Sequence, residues 1–171
     1  RRQMSHLRVA QVLEAQPNVP AAVLADHFEQ AGEAQKAFHY WFQAAQHARQ
    51  LYSNAEANAA YQRGEQVIDK YSTAISDEDI YPMYMLWGSL AFDMANASLA
   101  ARIFDNLMKT GLARGSKLLI AAAHLGYTTV NDLLDQAEEG MRHLDEAAVF
   151  LGELNRPEMD ALWAYRLGGF L

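Results

Sequence analysis

Residues 19–50 read VPAAVLADHFEQAGEAQKAFHYWFQAAQHARQ, and this stretch decides the fold. After Pro20, Leu24, Ala25 and Phe28 fall at helical spacing, and Gly32 ends the run. A second helix begins near Ala34 and sets Ala37, Trp41 and Ala44 along one side. Each helix carries small residues beside bulky ones. Small positions let two backbones approach, and large side chains fill the adjacent holes. The stretch is therefore a helical hairpin suited to stacking on further hairpins.

Outward from this hairpin the chain stays helical. Thirty of 171 residues are alanine, the strongest helix former, and no run alternates as a strand does. Nine helices are expected. The first spans about Met4 to Ala15, with Val9, Val12 and Leu13 on one face. Ala21 to Ala31 and Ala34 to Gln50 follow, then a fourth capped by Ser53 or Asn54 and running to about Tyr71. Ser72 to Asp79 reads as a polar link, with Pro82 in the first turn of a fifth helix that ends near Met94. The sixth covers about Ser98 to Lys109, with Gly111 and Gly115 in the next turn. The seventh runs from Ser116 to Gly126, and Tyr127-Thr128-Thr129-Val130-Asn131 reads as a loop or a weak turn. The eighth spans about Asp132 to Leu154, and a ninth follows Pro157.

The small-and-large pattern recurs at Trp87-Gly88, Ala100, Phe104 and Leu107, with Ala91 where the first hairpin has an aromatic. Gly140, Leu144 and Ala147 repeat part of it, and Leu167-Gly168 with Leu171 begins a further copy. Ala57, Tyr61 and Gly64 also read as a second-type helix. In these positions the chain resembles the tetratricopeptide (TPR) repeat, a 34-residue helix-turn-helix unit. The resemblance implies an all-α, right-handed α-solenoid of antiparallel hairpins forming a single domain over residues 1–171. Residues 1–71 match best and 72–171 add further repeats. The preferred pairing joins helices one with two, three with four, five with six and seven with eight.

Within residues 1–71, Arg1-Arg2, His6, Val9-Ala10, Leu13-Glu14, Leu24-Ala25, His27, Ala31-Gly32, Lys36-Ala37, Tyr40 and Ala44-Ala45 carry a closer likeness. They resemble the segment behind the ATPase module of bacterial signal-transduction ATPases, which include large transcriptional activators and AAA-containing nucleotide cyclases. That likeness implies a sensor array cut from a larger regulatory protein. Both chain ends read as cut points.

Sites for chemistry are absent from the sequence. Gly111-Leu112-Ala113-Arg114-Gly115-Ser116 lacks the Gly-Lys-Ser/Thr ending of a phosphate loop, so nucleotide binding is not expected. No two histidines have metal-binding helical spacing with an intervening Glu, although His27 and His39 have room to approach across a hairpin. Asp77-Glu78-Asp79 lacks the glycine and distal Glu of a calcium loop and reads as an acidic helix start. Glu138 and Arg142 have ion-pair spacing. The net charge of −7 argues against nucleic acid as a partner. The lack of cysteine fits a reducing cytoplasm, and no apolar run is long enough to cross a bilayer.

The expected function is thus non-catalytic, without metal or cofactor: binding a protein, a peptide or another domain of the same chain. In the preferred pairing the binding face carries His39, Phe42, Gln46 and Arg49, then Met85, Ser89, Phe92 and Asp93. The alternative is a solenoid that binds a small-molecule effector of a transcriptional activator. Ala161, Leu162, Trp163, Tyr165, Leu167 and Phe170 make the last helix apolar on more than one face, which predicts dimerisation through it.

Overall fold

The computed structural model describes residues 2–170, the last by its backbone alone; Arg1, Leu171 and the Phe170 side chain lie outside the described residues. Among the described residues the regular structure is entirely α-helical: α1 (Arg2–Glu14), α2 (Ala21–Ala31), α3 (Ala34–Gln50), α4 (Asn54–Lys70), α5 (Asp77–Asp93), α6 (Ala97–Arg114), α7 (Lys117–Leu134), α8 (Ala137–Leu154) and α9 (Pro157–Phe170). The chain divides into two compact units, Arg1–Ser76 and Asp77–Leu171. Within each unit consecutive helices pack on one another, as in a solenoid-like array of hairpins, and α5 also packs on α7.

In the first unit the quoted hairpin forms as its pattern requires. Ala25, Phe28 and Ala37 are fully buried, and Leu24 and Trp41 nearly so. Gly32 ends α2 in the left-handed conformation at φ 83°, which a side chain disfavours. Ala45, not Ala44, is the fully buried small residue further along α3; Ala44 is half-buried. The apolar face expected on α1 does not form. Val9 and Val12 are exposed, and α1 packs through Ala10.

The second unit corrects four helix boundaries. α5 starts five residues before Pro82, so this proline lies inside the helix and leaves the Glu78 carbonyl without an i+4 amide. Three acidic residues, Asp77, Glu78 and Asp79, occupy the first turn, where the helix dipole favours them. Arg114 Nε at the end of α6 donates to Asp77 at 2.6 Å, and Arg156 pairs with Glu78. These contacts start the helix early despite Pro82.

α6 runs past Gly111 to Arg114 and stops at Gly115, φ 62°. Gly111 is a contact residue and not a turn: a Cβ there would lie 3.0 Å from the Ile120 backbone nitrogen of α7. α7 continues through residues 127–131 to Leu134, and α8 begins five residues later than expected, after Asp135 turns left-handed. The threonines that weaken this segment are buried and bonded. Thr128 Oγ1 donates to the Leu125 carbonyl at 2.6 Å, and Arg166 Nη2 donates to Thr129 Oγ1 at 3.0 Å. Burial against neighbouring helices outweighs local propensity.

Phe104 of α6 organises this unit. Its ring lies against Gly88 of α5 and Gly126 of α7; a Cβ on either glycine would stand 2.1 Å from a ring carbon. Trp87, Ala91, Ala100 and Leu107 are fully buried around it, and Gly140, Leu144 and Ala147 form the buried stripe of α8.

Gly126→Ala therefore tests the packing by its sign. Helix propensity alone favours alanine by about 1 kcal/mol. Overpacking costs ~1–3 kcal/mol and is expected to win, because the Phe104 ring is enclosed. Urea unfolding should show net destabilisation for Gly126→Ala and for Gly88→Ala, partly recovered when Phe104→Leu is added.

Candidate functional site

The first unit contains a partly open cleft of about 850 Å³ among α2, α3, α4 and the turn before α2. Its floor is made of short side chains, Ala44 and Ala48 of α3 and Ala59 and Ala60 of α4, between Leu24 and Leu51. Alanines at helical spacing keep this face shallow, so the three helices leave room between them. Trp41 forms part of the wall and is held from two sides. Its Nε1 donates to Glu29 Oε2 at 2.9 Å, and the Arg63 guanidinium lies 4.9 Å from its ring centre. Arg63 Nη2 donates to the same Glu29 oxygen at 2.9 Å and lies 3.8 Å from Asp26. One carboxylate thus fixes an indole and a guanidinium from two helices.

Tyr40, also on the wall, is fixed on its far side. Its hydroxyl donates to Glu14 Oε1 at 2.7 Å, and its ring stacks on Phe28 at 5.6 Å. Burial, then the bond to the Glu14 carboxylate, pushes the Tyr40 pKa up to about 12. Lys36 bonds the same carboxylate at 2.7 Å, and its bond and that of Tyr40 hold the Glu14 pKa below the ordinary value. Exposed polar side chains at the cleft include Gln43, His47 and Glu56.

The residues expected to form the binding face do not line this cleft. Phe42 is half-buried, 6.3 Å from both Phe38 and Tyr61 in ring-centre distance, and the Arg49 charge acts on the Tyr61 hydroxyl. His39 packs edge-on to Tyr40, and Gln46 is exposed. Met85 is half-buried and Ser89, Phe92 and Asp93 are exposed on α5, in the other unit. The helical face one step around α3, starting at Trp41 and Ala44, reads in the sequence as repeat packing and is the cleft face instead. The alanine spacing shared by α3 and α4 marks this face as shallow but does not show that it stays uncovered.

Other expected pairings change partners. His27 meets His6, with Nδ1 atoms 3.2 Å apart, and does not meet His39. Arg142 pairs with Glu139 rather than Glu138. Among the described residues no group of three or more His, Asp or Glu side chains is placed to hold a metal ion. None of the described helices is long and apolar enough to cross a membrane. Among the described side chains of α9 only Met159 is buried; Trp163 Nε1 donates to the Leu144 carbonyl, and Leu167 is half-buried. These two side chains pack inside the unit, and the exposed residues of α9 include Glu158, Asp160, Ala161, Ala164, Tyr165 and Gly168. No family model matches the chain, and no curated protein matches it.

Two alanines of α3 separate packing from cleft. Ala37→Leu should cost ~1–3 kcal/mol through overpacking, since Ala37 is fully enclosed. Ala44→Leu projects into the cleft and should change stability by less than about 0.5 kcal/mol. Urea unfolding of the two variants reads the difference.

Proposed function

We propose that the chain is a non-catalytic, TPR-like interaction module and that the cleft among α2, α3 and α4 receives a segment of a partner protein. The observation that carries this reading is the alanine floor with Trp41 held rigid beside it. Apolar side chains of a bound segment would fill the space above the alanines, and the clamped indole costs little ordering on binding. The occupant that fits is a peptide with spaced apolar anchors and few charges at its centre. Arg63 and Glu29 are paired with each other, so neither charge is left uncompensated. The likeness of residues 1–71 to the sensor segment of bacterial signal-transduction ATPases adds a role in a cytoplasmic regulatory protein, on the strength of resemblance alone.

A small-molecule effector is the second reading, favoured by one observation. About 850 Å³ lies within the range of ligand pockets. Such pockets also carry convergent polar groups, and here the best-placed ones are paired with each other.

Selection from a peptide library displayed on phage should enrich sequences with apolar residues at regular spacing. Their affinity should fall about tenfold or more for Ala44→Arg, with the denaturation midpoint unchanged. Failure to enrich any peptide, together with a rise in melting temperature in a small-molecule screen that Ala44→Arg abolishes, would decide for the effector.

A further inference from the structure

α7 and α8 are joined by a contact that the cleft does not use. His124 of α7 and His143 of α8 place their Nδ1 atoms 3.0 Å apart, with ring centres at 5.3 Å. At that ring separation each Nδ1 must sit on the side of its ring that faces the other. The lone pairs point at each other and do not converge on a third point, so the geometry is that of a hydrogen bond and not of a chelate. Such a bond needs one protonated and one bare Nδ1. A neutral pair supplies this through opposite tautomers, and a singly charged pair also does. A doubly charged pair has no acceptor and sets two positive charges in contact.

We propose that the His124–His143 contact is an acid-sensitive clasp: while the pair carries no more than one positive charge it holds α8 against α7, and a second proton releases it. The surroundings make the second proton costly. Both rings are half-buried, and burial is the main cause that lowers both pKa values from 6.5. For His143 the neighbouring His124 and Arg142 act in the same direction.

Beyond the pair itself, the charges among the described residues that act on the two rings come from α8, with none from α5, α6 or α9, and they do not cancel this. On α8, Glu139 and Glu146 favour protonation of His143, and Glu146 does so for His124; Glu139 is committed to Arg142. On α7 the Tyr127 ring stacks on His143 at 4.7 Å, and its hydroxyl donates to Asp105 of α6 at 2.5 Å. Asp105 is thus engaged by the tyrosine. From α9, Trp163 bonds the carbonyl of Leu144, the residue after His143, and this contact carries no charge.

These shifts set the sign of the pH effect. The unfolded chain binds protons on these histidines at higher pH than the folded chain does, so stability rises with pH in that interval. The contribution is complete above about 6.5 and is lost as pH falls through the lowered folded values. α9 packs mainly on α8, where Trp163 bonds the Leu144 carbonyl, so its exchange should rise with that of α8.

The whole chain, labelled with ¹⁵N-histidine, provides the test. At pH 8 a scalar coupling between the two Nδ1 nuclei should report the N–H···N bond, and it should vanish on acidification. Over the same range, amide exchange in α8 and α9, corrected for its intrinsic pH dependence, should rise by about fivefold or more relative to α5 and α6. In His143→Gln, which keeps a polar side chain but does not titrate, that relative rise should be largely lost. Absence of the coupling at pH 8, or an unchanged ratio of exchange rates across the titration, would overturn the proposal. So would a His143→Gln variant with the pH dependence of the parent chain.

Discussion

The second unit depends on one aromatic ring seated where two helices have no side chains. Phe104 is buried between Gly88 and Gly126, so α5, α6 and α7 meet at a single residue. This close approach explains why α5 packs on both α6 and α7. It also fixes α7 as the platform for α8 and α9. Gly140 and Leu144 of α8 are buried, and Arg166 of α9 reaches Asp132 and Thr129 on α7. A glycine lost at either position would disturb three helices, because interiors at near-crystalline density transmit a displacement instead of absorbing it.

Much of the fold was legible in the sequence because hairpin packing leaves a local imprint. Leu24-Ala25, Phe28 and Ala37 in the first unit, and Trp87-Gly88, Ala100 and Phe104 in the second, announce their burial by spacing alone. The left-handed end at Gly32 was equally plain, whereas the end of α6 falls at Gly115 and not near Lys109 as the two glycines suggested. The error at α7 has a definite cause. Gly126 before two threonines has the local signature of a helix end, yet Leu125-Gly126 is also a bulky-small pair like Trp87-Gly88. Tertiary contact with Phe104 decides between the two readings, and that contact is 22 residues away in sequence, as Tyr127 to neighbouring Asp105 is. Pro82 misled in the same manner, since the ion pairs that start α5 at Asp77 come from Arg114 and Arg156.

In the first unit the decisive group is a carboxylate. Glu29 accepts from Trp41 and from Arg63, joining α2, α3 and α4 at one oxygen. Its side chain is only 18% exposed, so the pair with Arg63 is better sheltered from solvent than an ordinary surface ion pair. The bonds fix the orientation of the indole beside the cleft more than they stabilise the fold. A wall set in this way is preorganised for a ligand that makes apolar contact.

The cleft face was not legible, and the reason lies in alanine itself. On α3, Ala37 and Ala45 are fully enclosed, while Ala44 borders open space. The same side chain closes one interface and leaves another ajar. Identity and spacing show that a helix face is shallow, but not whether a neighbour comes close enough to cover it. For α3 that depends on how far α2 and α4 stand apart across it, which lies outside the reach of one helix's own pattern. The Trp41 indole, held by Glu29 and by Arg63, stands at the side of the alanine stripe in the wall of the cleft. The residue read from the sequence as core packing is therefore also a wall of the cleft.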